Sequence, residues 1–564
     1  MSNILEVRNL SISFFDDGGI EHKAVNDISF DLAKGRTLGI VGESGSGKSV
    51  SCLAIIGLLP APPKCTVEGE AIFNVDNNSV NLLDIDEKQR SEYRGRKIAM
   101  VFQDPMTALN PVHKCGWQVA EMLRLHEHVE PEEARRRTLE LFEEVRLPDP
   151  ERIFNSYPHE ISGGQKQRVM IAMALICNPD LVIADEPTTA LDVTVQKSIL
   201  SLLRDLQRRR GISVIFITHN LGVVANVADD VVVMYKGNIV EQGNVDKIMH
   251  RAEHPYTQGL IACRPPEQGR PKRLPTVDDF MNQQSHNEPV CREPFDNSKR
   301  LTEEPLLSVR GLSVDYVVKR SLWGKSLKTK RAVNNVNFDL WRGETLGLVG
   351  ESGCGKTSLG RTIMQFIKAA EGSVMFDGND IGQLRRAGMR RLRTRIQIIF
   401  QDPYSSLNPR LTIGQAIMEP LVCNRMMADD GERKTAVEQI MESVGLPSGW
   451  FSRYPHELSG GQRQRVCIAR ALVVKPDLVV CDEPVSALDV SVQAQVLNLL
   501  NQLREQYNYA CIFISHDLSV VHFVSDRIMV MRDGEIVELS DADELYSNPQ
   551  EEYTQTLLSA IPRF

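Results

Sequence analysis

The chain has 564 residues, of which 42% are hydrophobic and 25% are charged, and its 65 basic and 74 acidic side chains give a formal net charge of -9. These values are typical of a soluble globular protein with more than one domain and exclude a disordered or fibrous chain. An acidic chain has no overall electrostatic reason to bind a phosphate backbone, so nucleic acid is not expected as a partner.

Three further features narrow the class of protein. No uninterrupted run of 18 apolar residues occurs, and the N-terminal MSNILEVRNL lacks the basic-then-apolar order of a signal peptide. The eleven cysteines lack the spacing of metal sites, which indicates small core side chains in a reducing compartment. We therefore expect a chain that neither crosses a membrane nor is exported.

Short apolar runs alternate with helical patterns along the chain: LGIVG, KIAMVF, LVIADE and SVIFITH, and later LGLVG, IQIIF, LVVCDE and ACIFISH. This alternation predicts parallel strands joined by helical crossovers, an α/β fold. The second set repeats the first, since VGESGSGKS returns as VGESGCGKT and YPHEISGGQKQRV as YPHELSGGQRQRV. The repeat predicts like domains at 1–262 and 305–564, joined by a linker at 263–304 that is rich in Pro, Asn, Gln and charge.

The first motif that carries chemistry is a Gly-x-x-x-x-Gly-Lys-[Ser/Thr] loop between a strand and a helix. Its backbone N–H groups cradle phosphate oxygens, its lysine reaches the β- and γ-phosphates, and its hydroxyl, here Ser49 or Thr357, ligates Mg²⁺. A chance glycine turn is the alternative, but two copies in the same context disfavour it. The predicted loop residues are Gly42, Ser44, Gly45, Gly47, Lys48 and Ser49, and then Gly350, Ser352, Gly353, Gly355, Lys356 and Thr357.

Further along each half, Ser-Gly-Gly-Gln opens a helical pattern such as GGQKQRVMIAMAL. A helix N-terminus offers free N–H groups and a partial positive charge, which suit a γ-phosphate. The segment runs from Ser162 to Gln165 in the first half and from Ser459 to Gln462 in the second.

The run LVIADEP, or LVVCDEP, places two carboxylates at the C-terminal end of a buried strand, where parallel sheets hold ligands. Asp185 and Asp482 are predicted to hold Mg²⁺. Glu186 and Glu483 are predicted to orient the attacking water. Helix capping is the alternative for such carboxylates, but the paired phosphate loops disfavour it.

Together these motifs resemble those of ATP-binding-cassette proteins over nearly the whole chain. The resemblance implies two tandem P-loop NTPase domains, each with a mainly parallel sheet core, a β subdomain and a helical subdomain. It also implies roles for further residues. Gln103 and Gln401 match the family's Q-loop at nucleotide and Mg²⁺, Ala190 to Asp192 and Ala487 to Asp489 its D-loop, His219 and His516 its switch histidine, and Phe14 and Tyr316 its adenine-stacking aromatic.

In that family each ATP lies between the phosphate loop of one domain and the Ser-Gly-Gly segment of the other. Carried over here, the first loop faces Ser459 and Gly461, and the second faces Ser162 and Gly164. Ile161 replaces the usual Leu of this segment, and Phe14 is a plainer platform than Tyr316. Neither departure removes a catalytic group, so we expect both sites to hydrolyse ATP.

The loops GES-G-GKS/T, the Q-loop extensions QDPMTALNP and QDPYSSLNPR, and the tails HPYTQGL and EEYTQTLLSAIP resemble the ATPases of dipeptide, oligopeptide and glutathione importers. The resemblance implies work at the cytoplasmic face of the inner membrane, with two transmembrane permease subunits and, through them, an extracytoplasmic solute-binding protein. The tails are expected to be helices that pack on their own domains. The iron–sulfur site of some members is not expected, because only Cys263 and Cys291 lie near the tail.

Two other functions remain open. A twin-cassette ATPase of ribosomes or DNA is disfavoured by the acidic charge and by the lack of a long charged hairpin in the linker. A purely regulatory nucleotide-binding module would not need Glu186 and Glu483. One residue, Cys354 in the second phosphate loop, is expected to have a thiol pKa lowered by Lys356 and the helix N-terminus if packing does not seal off the side chain. The alternative is a small, inert residue.

Overall fold

The structure is a computed structural model that describes residues 2–75, 78–188, 191–266, 269–282, 290–292, 295, 298–320 and 326–561. Within these residues, the first half (1–262) and the second half (305–564) each form a four-stranded antiparallel sheet and a mainly parallel six-stranded sheet. The α/β fold predicted from the alternating pattern is confirmed. No helix in the described ranges combines the length and apolarity needed to cross a bilayer.

The strands of the first half, in chain order, are β1 Asn3–Phe15, β2 Glu21–Ala33, β3 Thr37–Val41, β4 Cys65–Val75, β5 Asn78–Asn81, β6 Ile98–Val101, β7 Leu181–Asp185, β8 Ser213–Thr218, β9 Asp230–Tyr235 and β10 Asn238–Asn244. Its helices are α1 Lys48–Ile55, α2 Glu87–Tyr93, α3 Pro105–Ala108, α4 Cys115–His126, α5 Pro131–Glu144, α6 Pro150–Asn155, α7 Gly163–Leu175, α8 Val193–Arg210, α9 Leu221–Val227, α10 Val245–His250 and α11 Pro255–Ala262. A short 3₁₀ helix lies at Pro158–Glu160.

Between the halves lie α12 Val277–Met281 and α13 Ser298–Thr302. The strands of the second half are β11 Leu307–Arg320, β12 Ser326–Leu340, β13 Thr345–Val349, β14 Glu371–Phe376, β15 Asn379–Asp380, β16 Ile396–Ile399, β17 Leu478–Asp482, β18 Ala510–Ile514, β19 Arg527–Arg532 and β20 Glu535–Asp541. Its helices are α14 Lys356–Ile363, α15 Arg386–Arg395, α16 Pro403–Ser406, α17 Ile413–Cys423, α18 Asp430–Ser443, α19 Gly460–Leu472, α20 Val490–Tyr507, α21 Leu518–Val524, α22 Ala542–Ser547 and α23 Glu552–Ala560. Three 3₁₀ helices lie at Ile381–Gln383, Ser448–Ser452 and Pro455–Glu457.

The six-stranded sheet has the order β10-β9-β3-β8-β7-β6 in the first half and the matching order β20-β19-β13-β18-β17-β16 in the second. Five neighbouring strands run parallel in each sheet, and only the edge strand β10 or β20 runs antiparallel to its neighbour. The central strands β3 and β7 are buried along their whole length because helices cover both faces. Their carboxyl ends therefore open at one edge, where the phosphate loop and the Asp-Glu pair lie.

The described part of the predicted linker packs against the second half. Leu274 and Val277 are buried in a core shared with the second half. The backbone of Leu274 exchanges two hydrogen bonds with the Asn498 side chain, at 2.8 and 2.9 Å. Arg292 Nη2 lies 2.8 Å from Asp526 Oδ1, and both side chains are almost fully buried. The polar residues of this segment thus serve as docking contacts.

Candidate functional site

The two phosphate loops have the same geometry. In each, the last glycine takes a left-handed backbone, with φ of 100° at Gly47 and 110° at Gly355. A Cβ atom added to Gly47 would lie 2.9 Å from the Ala24 carbonyl oxygen, and one added to Gly355 would lie 2.3 Å from the Ala332 carbonyl oxygen. Only glycine therefore fits, and the loop folds tightly onto the N-terminus of α1 or α14.

The loop lysines are buried and fold back over their own loops. Lys48 Nζ donates to the carbonyl oxygens of Gly42 and Glu43, both at 2.8 Å, and Lys356 Nζ donates to those of Gly350 and Glu351 at 2.6 and 2.9 Å. Burial lowers the pKa of Lys48. A buried ammonium group that is held by neutral carbonyls, at a helix N-terminus, fits an anionic phosphate as its stronger partner.

The hydroxyl of each loop meets the aspartate at the end of a central strand. Ser49 Oγ donates to Asp185 Oδ1 at 2.8 Å, and Thr357 Oγ1 donates to Asp482 Oδ1 at 2.9 Å. Burial raises the pKa of both carboxyls. Hydroxyl and carboxylate oxygens that converge in this way are the ligands that Mg²⁺ prefers, and a cation would offset the cost of burying the charge.

The glutamate after each aspartate is held by two side chains. In the first half, Gln103 Nε2 donates to Glu186 Oε2 at 2.9 Å, and His219 Nδ1 lies 3.0 Å from Glu186 Oε1. Burial alone would lower the pKa of His219, but the bond and charge of Glu186 raise it overall. The predicted Q-loop residue and switch histidine thus meet at the predicted catalytic carboxylate.

The second half repeats this arrangement more loosely. Gln401 Nε2 donates to Glu483 Oε2 at 2.9 Å, and His516 Nδ1 lies 3.4 Å from Glu483 Oε2. Burial alone would raise the pKa of Glu483, but His516 lowers it overall. Glu186 and Glu483 both have a left-handed backbone, with φ of 45° and 49°. Strained, non-glycine positions of this kind concentrate at functional sites.

The predicted Ser-Gly-Gly segments begin α7 and α19. Ser162 and Ser459 are exposed N-caps, and each accepts a hydrogen bond from the glutamine three residues on, at 3.4 and 3.3 Å. Gly164 and Gly461 lie in the first turn of these helices. The free N–H groups required by the prediction are therefore present in both halves.

The predicted adenine-stacking aromatics lie on β1 and β11. The Tyr316 ring is exposed, and its hydroxyl lies 3.1 Å from Ser358 Oγ, one residue beyond the phosphate loop. Phe14 is partly buried and pairs with His22 and Cys65 across the antiparallel sheet. Tyr316 thus offers the more open platform.

Each phosphate loop contacts the D-loop or the helix that follows it in the other half. Ser44 donates from its amide and its hydroxyl to Asp489, both at 2.8 Å. Ser491 donates to the Glu43 carboxylate, and Thr194 Oγ1 donates to Glu351 Oε1 at 2.8 Å. Ala190 of the first D-loop lies outside the described residues.

Sequence reasoning missed several of these contacts. Their residues are Glu43, Glu351, Thr194, Ser491 and two tail tyrosines, Tyr256 and Tyr553, whose hydroxyls accept from the amides of Glu43 and Glu351. The signal was available, because both the GES glutamate and the tail tyrosine occur in each half. The sequence analysis predicts that the tails pack on their own domains but does not predict their contact with the phosphate loop.

The expectation of a lowered thiol pKa at Cys354 is wrong. The side chain is buried, and burial raises its pKa despite Lys356 Nζ at 3.8 Å from the sulfur. Burial and the raised pKa therefore favour the small, inert alternative.

Comparisons with known proteins cover nearly the whole chain. A family model described as "ABC transporter" matches residues 25–189 and 333–486, and one described as "Oligopeptide/dipeptide transporter, C-terminal region" matches residues 240–292 and 537–564. The chain is 46% identical to the glutathione import ATP-binding protein GsiA of Pectobacterium atrosepticum, over 99% of this chain and 89% of that protein. It is 44% identical to the protein of the same name from Escherichia coli (strain K12), over 99% of this chain and 90% of that protein.

Proposed function

This chain belongs to the ABC transporter family and is the ATPase of an importer with two ATP-binding cassettes, and from that premise we propose that it powers the uptake of glutathione or of similar small peptides. The first cassette is residues 1–262 and the second is residues 305–564. The peptide-type cargo rests on the matched C-terminal regions and on the names of the relatives. The cargo itself would touch other subunits.

One observation carries the proposal that both cassettes hydrolyse ATP: each holds a complete set of catalytic contacts. The loop lysine, the hydroxyl with its aspartate, the glutamine with its glutamate, and the histidine with its glutamate occur in both cassettes, and only the histidine contact is longer in the second, at 3.4 Å against 3.0 Å. A degenerate site would lack one of these groups.

The contacts between cassettes support composite sites. Because Ser44 bonds Asp489 and Glu351 bonds Thr194, each phosphate loop borders the opposite cassette. ATP at Lys48 would then face Ser459 and Gly461, and ATP at Lys356 would face Ser162 and Gly164. Both sites form within one polypeptide.

Each residue has a defined task in this arrangement. Bound Mg²⁺, held by Ser49 and Asp185 with Gln103 nearby, would supply positive charge at the phosphate oxygens. Lys48 would exchange its carbonyl partners for phosphate oxygens. Glu186 would accept a hydrogen bond from the attacking water, while His219 keeps the carboxylate oriented. Thr357, Asp482, Gln401, Lys356, Glu483 and His516 would do the same in the second cassette.

An exposed apolar surface lies beside each Q-loop glutamine. Met106 and Tyr404 are 63% and 67% exposed, three residues after Gln103 and Gln401. Single exposed apolar side chains are ordinary on protein surfaces, but one at the same position of both cassettes, beside the Q-loop glutamine, supports a partner surface. We assign this surface to two transmembrane permease subunits, which would hold the chain at the cytoplasmic face of the inner membrane and connect it to an extracytoplasmic solute-binding protein.

The test is transport by the complete complex. Tagged chain is purified from membranes, the proteins that accompany it are identified, and ATP-dependent uptake of labelled glutathione is measured in vesicles. We expect two hydrophobic permeases and uptake that is lost when Met106 and Tyr404 are both replaced by Asp. Leu301→Asp, at a 90% exposed position of α13 between the two cassettes, serves as the control. Ribosomal proteins in place of permeases, or unaffected uptake in the double variant, would overturn the proposal.

A further inference from the structure

The tail of each cassette reaches the phosphate loop of the same cassette. The tails are residues 254–262 and 551–560, and each places a tyrosine in the first turn of its helix, α11 or α23. Tyr256 Oη accepts a hydrogen bond from the Glu43 amide at 3.0 Å, and Tyr553 Oη accepts one from the Glu351 amide at 3.2 Å. The same contact thus forms twice, between segments about 200 residues apart in the chain.

The surroundings keep both hydroxyls in place. Tyr256 is wholly buried, and its ring centroid lies 4.3 Å from that of Tyr235. The ring of Tyr553 lies 5.0 Å from the Arg532 guanidinium. Burial raises the pKa of Tyr256 far above its usual range and that of Tyr553 to about 12. Both side chains are therefore neutral at any working pH.

The two glutamates also join each tail to the opposite cassette. The Glu43 carboxylate accepts from Ser491, and the Glu351 carboxylate accepts from Thr194. The tail helices provide a second link between the cassettes, because α11 packs against α20 and α23 packs against α8. At the second tail, Lys197 Nζ also donates to the Ser559 carbonyl oxygen at 2.7 Å.

We propose that Tyr256 and Tyr553 are positioning residues for ATP, whose hydroxyls fix the start of each phosphate loop to a tail that also rests on the opposite cassette. The inference rests on the proposed ATP sites and adds to them a role for the tails in setting nucleotide affinity. The amides of Glu43 and Glu351 lie at the entry to the loops whose later amides face the phosphates. When the entry is already fixed, the phosphate loop loses less conformational entropy as ATP binds.

Replacing either tyrosine with phenylalanine removes one acceptor and keeps the ring. The loop amide then loses its partner, and the loop must be ordered by ATP itself. Loss of one such bond corresponds to about three- to tenfold weaker binding. The hydroxyls do not touch the reacting atoms, so KM for ATP should rise while kcat changes less than about twofold.

The experiment uses the full chain with Tyr256→Phe, Tyr553→Phe and both together. A fluorescent N-methylanthraniloyl ATP is titrated in the presence of Mg²⁺, and KM and kcat for ATP are measured alongside. Tyr509→Phe is the matched control, because it removes a 3.3 Å hydrogen bond from a buried tyrosine hydroxyl to the Leu500 carbonyl of the second cassette, away from the phosphate loop. The melting temperature of the nucleotide-free protein reports any general loss of stability.

The expected result is a higher Kd and KM in both tail variants and unchanged values in Tyr509→Phe at a similar loss of melting temperature. Parental affinity in both tail variants would overturn the inference, and so would an equal affinity loss in Tyr509→Phe. If the parental chain binds no nucleotide, the proposed ATP sites themselves are wrong, which is a separate outcome.

Discussion

The two cassettes share the contacts proposed for catalysis, but they differ in the contacts made by the turn that follows the proposed catalytic glutamate. In the second cassette, Asp489 reaches across the interface and accepts two hydrogen bonds from Ser44. In the first cassette, the matching Asp192 bonds within its own cassette, where it caps α8 by accepting a hydrogen bond from the Val195 amide at 2.9 Å. Nearly identical motifs thus form unequal halves of an interface, so repeats in sequence do not guarantee equal contacts.

The cassettes also differ where the linker is docked. Asp526 accepts from Arg292, Arg504 and the Thr345 amide, and its side chain is only 3% exposed. The matching Asp229 accepts from the Thr37 amide but is 47% exposed. With Arg292 of the linker and Arg504 as partners, Asp526 is part of a buried charge network, whereas the matching Asp229 lies at the surface.

The largest expected effect tests whether Glu186 and Glu483, the proposed catalytic carboxylates, contribute equally to ATP turnover. Glu186→Gln and Glu483→Gln should each keep ATP binding and slow turnover, and the double variant should fall by about 100-fold or more, because a positioned base contributes about 10²–10⁴-fold. Single-turnover and steady-state ATPase assays measure this, and the ratio of the two single variants compares the sites. Parental turnover in the double variant would contradict the assignment.

The next effect compares Asp229 and Asp526, which directly precede β9 and β19. Asp526→Asn leaves Arg292 and Arg504 buried without their charge partner, which should destabilise the second cassette by about 3–5 kcal/mol. Asp229→Asn, in the exposed position, should cost about 1 kcal/mol or less. Scanning calorimetry of both variants measures the difference, and equal shifts would show that the linker network adds no stability.

A smaller effect tests the unequal interface. Asp489→Ala removes both bonds to Ser44, so hydrogen exchange at the Ser44 amide should quicken about tenfold. Asp192→Ala should instead loosen the first turn of α8, at a cost of about 1 kcal/mol for a lost N-cap. Mass-spectrometric exchange on the intact chain distinguishes the two. Matching exchange patterns in the two variants would mean that the interface is symmetric in solution.

Much of this site could be predicted because its chemistry is local. A few consecutive residues are enough to identify the phosphate loop, the strand-end pair Asp185 and Glu186, and the helix N-terminus at Ser162. Gln103 and His219 came from family resemblance, and the structure brings both to Glu186.

The contacts that local sequence patterns do not predict join distant segments. Tyr256 and Glu43 are separated by most of a cassette, and Ser44 and Asp489 belong to different cassettes. No periodicity relates such pairs, since tertiary contact depends on how whole layers pack. The docking role of Arg292 could not be predicted for a similar reason, because a polar, proline-rich segment has the same composition whether it is free or docked.

The smallest expected effect concerns Cys354, which replaces Ser46 of the first phosphate loop. Lys356 Nζ lies 3.8 Å from its sulfur, where Lys48 Nζ lies 3.5 Å from the Ser46 hydroxyl, so the lysine sees a similar neighbour in both loops. Each lysine is held mainly by two backbone carbonyls, which the side-chain change leaves alone. Cys354→Ser should therefore shift the Kd for ATP by less than about twofold. Because burial raises the thiol pKa, brief maleimide treatment should label the exposed Cys291 and Cys423 well before Cys354. Rapid labelling of Cys354, or a large loss of affinity in the serine variant, would show that the two loops differ in chemistry as well as in sequence.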